Sequence, residues 1–243
     1  EGAQISFSDV SFNGAATSRT WNFPGGTLVT PSTLSDSIVT IQYPIAGNYD
    51  VTLSVSNSTG SATVTKTGFV KVLPAIAAYN STFYSESFEN SALPNADWEI
   101  ANLDGGVPVW QQNTALGFSG SACASLQNFS GDSADIDELI SPTFNAANIP
   151  NLNFSFQVAY AMKNTGDNDA LKIYTSIDCG RSWTLRTTIN ATTLDGSNPA
   201  QTAAFVPTLP SQWHKETVSV ANLANKSNAR IKFQFIGGGG NNI

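Results

Sequence analysis

Charge is what this sequence has least of. Asp, Glu, Lys and Arg make up 12% of its 243 residues, about half the roughly 25% usual in soluble domains. Eleven basic residues stand against eighteen acidic ones, a net charge of −7. The basic residues are scattered, whereas a phosphate-binding surface needs them clustered, so nucleic acid is not an expected partner. No apolar run approaches the roughly 20 residues of a membrane-spanning helix. The single histidine, His214, leaves no room for an H-E-x-x-H zinc site. A Ser-His-Asp triad would have to use it, and no G-x-S-x-G elbow supplies the serine. The two cysteines, Cys123 and Cys179, are too few for a disulfide framework. They read either as one bridge made in an oxidising compartment or as two buried thiols. No leader peptide is visible: Glu1-Gly2-Ala3-Gln4 begins inside a folded module, as expected of an internal piece of a longer exported protein.

Ser, Thr, Asn and Gly fill the place of charge, a composition suited to exposed sheet faces. The patterning agrees. In Asn48-Tyr49-Asp50-Val51-Thr52-Leu53-Ser54-Val55-Ser56 every second residue is apolar, the period of a half-buried strand. Asn57-Ser58-Thr59-Gly60 is turn chemistry, and residues 61–72 read as the returning strand of a hairpin. Leu152, Phe154, Phe156, Val158 and Tyr160 repeat the alternation. Leu171/Ile173, Val218/Val220 and Ile231/Phe233/Phe235 supply further strands. Many short strands separated by Gly, Asn, Asp and Pro predict an all-β sandwich or barrel. The boundary falls after Val70-Lys71-Val72-Leu73-Pro74, giving a domain over 1–74, a linker over 75–81 and a domain over 82–243.

Three motifs in the first part, Trp21-Asn22-Phe23-Pro24-Gly25-Gly26, Gly47-Asn48-Tyr49-Asp50-Val51-Thr52-Leu53 and Asn57-Ser58-Thr59-Gly60, resemble the PKD-domain pattern over nearly all of residues 1–73. The resemblance implies an immunoglobulin-like sandwich with Trp21 in its core and a non-catalytic spacer or adhesion role. A Trp among alternating strand residues is a core anchor on physical grounds as well.

The second part carries Glu86-Ser87-Phe88-Glu89-Asn90, Trp98, Asn102-Leu103-Asp104-Gly105-Gly106, Trp110, Gly120-Ser121-Ala122-Cys123 and Asp137-Glu138-Leu139-Ile140-Ser141-Pro142, then Ser176-Ile177-Asp178-Cys179-Gly180-Arg181-Ser182-Trp183 and Gly240-Asn241-Asn242-Ile243. In this order they resemble the MAM-like and cleaved-adhesin jelly-roll domains of secreted Bacteroidetes proteins. The pair, PKD then jelly roll, is similar to the region downstream of pappalysin-like (cytophagalysin) zinc metalloproteases with a type IX secretion tail. The fold expected is therefore an immunoglobulin-like PKD sandwich plus a larger jelly-roll β-sandwich. The resemblance also implies a structural calcium ion held by Ser87, Glu89, Asn102, Asp104 and Ser121. The Asn102–Gly106 loop is poorer in carboxylates than the family's D-x-D-x-D, and the family's last strand would begin at Ile243.

Ser176 to Trp183 has the S-x-D-x-G-x-x-W spacing of an Asp-box, in which Asp caps the amides of a turn, Gly allows a left-handed residue and Trp packs beneath. It is a structural device, not a catalytic one. Gly237-Gly238-Gly239-Gly240 lacks the Lys-Ser/Thr of a phosphate loop and reads as a flexible loop. His214 reads as an exposed edge-strand residue. A glycosidase pair would have to come from Glu86, Asp104, Asp137 and Glu138, to which calcium and turn roles are better suited. Asp36-Ser37-Ile38 and Asp132-Ser133-Ala134 match a short O-glycosylation acceptor pattern.

These features describe a secreted or cell-surface, monomeric, non-catalytic segment. It would attach a covalently linked upstream catalytic domain to an extracellular polymer, protein or glycan. A free-standing adhesin and a calcium-braced spacer are the alternatives. Sugars stack on flat rings, and of Trp98, Trp110, Trp183 and Trp213 the expected exposed pair is Trp110 and Trp213.

Overall fold

The computed structural model describes residues 1–12, 14–73, 79, 83–90, 92–95, 97–103, 105–107, 109–131 and 133–243. The chain divides into two compact units, Glu1–Ile76 and Ala77–Ile243. Of the expected linker over 75–81, only Tyr79 lies among the described residues. It belongs to the second unit, where it bridges Phe144 and donates its hydroxyl to Asp97 at 2.8 Å. No helix among the described residues is long and apolar enough to cross a membrane.

The first unit has six strands: β1 (Gln4–Ser8), β2 (Ser18–Asn22), β3 (Thr27–Leu28), β4 (Ile38–Gln42), β5 (Gly47–Asn57) and β6 (Gly60–Val72). They form two antiparallel sheets, β1-β4-β3 and β2-β5-β6. Phe7, Val39 and Ile41 from one sheet and Trp21 and Val51 from the other are buried together. Trp21 stacks on Phe23 with ring centroids 5.5 Å apart, and its indole N–H donates to the Asp36 carbonyl at 3.0 Å. That bond removes the cost of burying a polar N–H, so the ring contributes its whole area to the core. The hairpin read at 48–72 is β5 and β6, with Asn57 paired to Gly60 across the turn.

The second unit is the jelly-roll β-sandwich. Its strands are β7 (Glu99–Asn102), β8 (Gln111–Asn113), β9 (Cys123–Ser125), β10 (Ile136–Ile140), β11 (Asn153–Val158), β12 (Ala170–Ser176), β13 (Thr184–Asn190), β14 (His214–Ser219) and β15 (Arg230–Ile236), with one short helix, α1 (Ala191–Leu194). Five strands make one sheet in the order β13-β12-β15-β10-β7, while β11 pairs with β14 and β8 with β9. Period-2 alternation sends Leu171, Ile173, Leu139 and Phe235 into the core. It sends Glu138, Lys232 and Gln234 to the opposite face, where Lys232 Nζ lies 2.6 Å from Glu138 Oε1. A cavity of about 870 Å³ runs through this core. Residues 122–127 and 152–159 line it, as does Ile243, whose backbone exchanges hydrogen bonds of 3.1 and 2.7 Å with Leu126.

The glycine run is not a flexible loop, and this corrects the expectation from sequence. It wraps the carboxylate of Asp169, which is 1% exposed. Asp169 accepts hydrogen bonds from the amides of Gly238, Gly240 and Asn241, from the Tyr160 hydroxyl at 2.8 Å and from Asn128 Nδ2 at 3.3 Å. A Cβ on Gly240 would collide with Asp169 Oδ2, so only glycine lets the backbone come this close. Burial, then the Asp169 charge, holds the Tyr160 phenol well above the ordinary tyrosine range. Asp169→Ala leaves several buried donors without an acceptor and is expected to cost about 3 kcal/mol or more. Gly240→Ala is expected to destabilise by clash instead. Urea unfolding of both variants measures this, and a loss under about 0.5 kcal/mol, the scale of an ordinary surface change, would show that the cradle contributes little.

Candidate functional site

Of the residues expected to hold calcium, the structure brings two together. Glu89 lies 32 residues from Ser121 in sequence. Its Oε1 accepts the amides of Ser121 at 2.8 Å and Ala122 at 2.7 Å, and its Oε2 accepts the Ser121 hydroxyl at 3.0 Å. The Ala122 amide bond, then the Ser121 hydroxyl, pulls the Glu89 carboxyl below its ordinary range. Each carboxylate oxygen offers about two lone-pair sites. Oε1 uses both on amides, so a cation would reach Glu89 through Oε2. Ser87 is exposed two residues earlier. Glu86 is engaged elsewhere, accepting the Phe88 amide at 2.6 Å and the Tyr84 hydroxyl at 3.2 Å.

Asn102 belongs to another place. At the end of β7 it pairs with Asp137 of β10. Its side chain closes the following loop, with Nδ2 donating to the Gly106 carbonyl at 2.6 Å and Oδ1 accepting the Gly105 amide at 2.7 Å. Gly106 packs on Asp135, whose Oδ1 would collide with a Cβ at that position. Asp135 and Asp137 are both buried. Asp104 lies outside the described residues. Sequence reasoning assigned Asp135 no role, because a lone Asp just before a strand carries no motif. Among the described residues no three His, Cys, Asp or Glu side chains gather as metal ligands.

Of the candidate carboxylates for a glycosidase pair, Asp104 lies outside the described residues, and the others are placed as follows. Asp137 and Glu138 are neighbours on β10 and project to opposite faces. Glu138 accepts both Lys232 Nζ and Gln234 Nε2. His214 is half-buried rather than exposed, with its ring against Gly196 and its Nε2 3.3 Å from Glu216 Oε1. Cys123 and Cys179 are free thiols, and burial, then the Glu89 charge, pushes Cys123 up to about 11.

The Asp-box folds into a self-capped turn. Ser176 Oγ donates to Asp178 Oδ1 at 2.7 Å and accepts the Gly180 amide at 2.8 Å. Asp178 in turn accepts the Ser182 amide at 2.9 Å and the Ser182 hydroxyl at 2.6 Å. Cys179 and Gly180 both take left-handed backbone, φ 62° and 90°. Trp183 packs beside Gly180 and under the ammonium of Lys232, 4.8 Å from its ring.

The tryptophans separate clearly. Trp98 and Trp110 are core residues, 6% and 5% exposed. Trp98 donates its indole N–H to the Tyr84 hydroxyl at 3.0 Å, and Trp110 donates to the Asp137 carbonyl at 3.3 Å. The expectation that Trp110 is exposed is thus corrected: it sits just ahead of β8 and turns inward against the sheet that carries Leu139. Trp213 is half-buried at the start of β14. It packs on a small core of Ala159, Ala161 and Phe205 and makes an edge contact with exposed Phe118, with centroids 6.3 Å apart at 60°. These two rings, with Gly117, Pro207, Leu209 and Pro210, line a cleft of about 420 Å³.

The family model described as PKD domain matches residues 1–69, so the first unit contains a PKD domain and Trp21 is its core anchor. No curated protein sequence matches the chain. A solved structure of carbohydrate-binding modules from the β-sandwich super family, studied for their promiscuous specificity, is similar over 100% of this chain and 88% of its own. The identity is 18% and the TM-score 0.43.

The Asp-box generates a pH prediction. The Ser182 hydroxyl, then that of Ser176, holds the Asp178 carboxyl down at about 2, below its ordinary 3.8. A carboxylate depressed in the folded state stabilises above its unfolded pKa, and that contribution is lost as pH falls through the folded one. Stability is therefore expected to drop between about pH 4 and pH 2, and Asp178→Asn is expected to flatten that part of the curve. Melting temperatures across this range provide the check. Identical slopes in variant and parent would remove the turn from the acid response.

Proposed function

We propose that this chain is a non-catalytic accessory segment of a secreted exoenzyme, attaching it to an insoluble substrate or a surface. The observation that carries this reading is a PKD domain over residues 1–69 followed by an all-β sandwich. The order of motifs in that sandwich resembles the region following pappalysin-like zinc metalloproteases, which makes such a protease domain, covalently linked upstream, the proposed partner. Export to the medium or cell surface belongs to the same reading. The candidate carboxylates support it: Glu138 serves an ion pair, Asp178 a turn and Glu86 a loop. Exposed aromatic and proline surface at the Trp213 cleft supplies a contact for a polymer.

Calcium is proposed as a structural ion. Hard oxygen donors suit it, and Glu89 Oε2 with Ser121 would hold it at one locus. Asn102, with Asp104 beyond the described residues, would do so at the other. Bound there, it supplies charge neutralisation that ties loops distant in sequence.

Two measurements test these readings. Retention of the chain on cellulose, chitin, collagen and bacterial cell wall is expected to be saturable for one of them. Failure on all four would leave a spacer. Calcium in excess is expected to raise the melting temperature by several degrees, the shift that one site at about 100 times its Kd gives a domain of this size. Glu89→Gln is expected to reduce that rise, and no calcium effect on either protein would dispose of the ion.

A further inference from the structure

The second layer of the jelly roll is split. The five-stranded sheet turns Leu139, Leu171 and Phe233 toward the core. Across that core stand two separate ribbons, β8-β9 and β11-β14, and no strand among the described residues joins β9 to β11. The cavity of about 870 Å³ is bounded by both: residues 122–127 form one rim, residues 152–159 the other, with Trp98, Trp110, Leu139 and Phe233 behind. Asn153 and Ser155 on the rim are exposed, so the cavity opens to solvent there. Packed cores hold few voids larger than a water molecule, and this one has an apolar floor.

Both rims turn backbone groups toward the gap. In an antiparallel strand the N–H and C=O of one residue point to one edge and those of the next residue to the other. Leu126 exchanges both its bonds with Ile243, at 2.7 and 3.1 Å. It therefore points away from β8, and by alternation so do Ala124 and Ala122. The Ala122 amide agrees, since it donates to Glu89 Oε1 at 2.7 Å. The N–H and C=O of Ala124 are left facing the gap, with no strand beside them among the described residues. On the other rim β11 pairs with β14 along Asn153–Val158, so every second residue of β11 also turns its backbone groups away from its partner.

Ile243 fixes the direction. A residue that exchanges both bonds with the one opposite is a hydrogen-bonded pair of an antiparallel ladder, so the backbone at Ile243 heads past Leu126 toward Ala124, along the gap. The Ile243 side chain packs on the core. With a period of two, the second residue beyond it lies opposite Ala124 and faces the cavity. The ladder also has an end. At Ala122 the amide is held by Glu89, and a Cβ on Gly117 would collide with the Ala122 backbone.

These features select the occupant. A sugar or a charged group finds no polar floor. A lipid chain fills the floor and leaves two rows of backbone groups without partners. An extended polypeptide satisfies both, its backbone pairing with the rims and its alternate side chains entering the cavity. A strand from another molecule would have to abut Ile243, which already holds the first rung. The segment contiguous with Ile243 needs no such junction.

We propose that the gap between β9 and β11 is the seat of one further strand, formed by polypeptide contiguous with Ile243 beyond residue 243, antiparallel to β9, bonded to Ala124 and placing its second side chain in the cavity. The second layer then becomes one sheet in the order β8, β9, added strand, β11, β14. This is independent of the attachment reading above.

The test sets the 243-residue chain beside the same chain lengthened by the six residues that follow it in its parent polypeptide, about the 20 Å that a strand as long as β11 spans. A third chain carries six Gly and Ser residues instead. The apolar dye 8-anilinonaphthalene-1-sulfonate is expected to fluoresce with the first and third chains and not with the second. Hydrogen exchange at the Ala124 amide is expected to slow about tenfold or more in the second chain alone, the scale of one hydrogen bond. Should the 243-residue chain not stay folded, the same exchange is compared within the lengthened chain after its second added residue is replaced by proline, and loss of protection is expected. Equal exchange at Ala124 in all the chains overturns the proposal. So does equal protection by the Gly-Ser tail, because pairing would then owe nothing to a side chain in the cavity.

Discussion

A single buried carboxylate organises the end of the jelly roll. Asp169 precedes β12, which lies between β13 and β15 in the five-stranded sheet, and gathers three backbone amides, a phenol and a side-chain amide around two oxygens. A bare charge in that position would be prohibitive, and a full set of donors turns the cost into a constraint. The constraint travels along the chain. Once the amide of Asn241 is fixed on Asp169, its side chain accepts the Phe205 amide at 2.7 Å and donates to the carbonyls of Gln201 and Ala203. Asn242 then bonds the Phe205 carbonyl and the Phe129 amide. Phe205 is the residue on which Trp213 rests. The cleft wall is thus set, at three removes, by one carboxylate that never meets solvent.

Scarcity of charge has the same logic elsewhere. Several of the charged side chains are committed to structure. Arg230 donates twice to the Ser141 carbonyl and pairs with Glu99 at 2.7 Å. Lys232 is held by Glu138 with its ammonium over the rings of Tyr174 and Trp183. In the first unit Arg19 pairs with Asp9 at 2.6 Å. Such pairs add little net stability over apolar packing, but they fix partners across strands that are distant in sequence. Exposed faces then fall to Ser and Thr, as in the Thr52–Thr65 and Ser54–Thr63 hydroxyl pairs of the first sandwich.

Much of the fold was legible because its signal is local. Alternation over 48–56 and at 231, 233 and 235 depends only on neighbours two residues apart, and β5 and β15 follow it. The Asp-box was legible for the same reason: Ser176, Asp178, Gly180 and Ser182 bond to one another within a few residues. What was not legible depends on pairing at long range. Trp110 and Trp213 look alike in sequence, yet one turns toward Asp137, 27 residues away, and the other toward the surface. The glycine run shows its purpose only beside Asp169, about seventy residues earlier. Glu89 and Ser121 were associated through family resemblance; composition or spacing alone could not have placed them in contact.

The cleft is therefore better understood as an end point of folding than as a patch of exposed hydrophobes. An exposed Phe or Leu taken singly means little, since folded surfaces are largely apolar. Phe118 and Leu209 differ because they flank a tryptophan whose orientation is imposed from behind. Rotation of Trp213 would cost its packing on Phe205, and movement of Phe205 would break its bonds to Asn241 and Asn242. Affinity in small interfaces is governed by such pre-organisation more than by area.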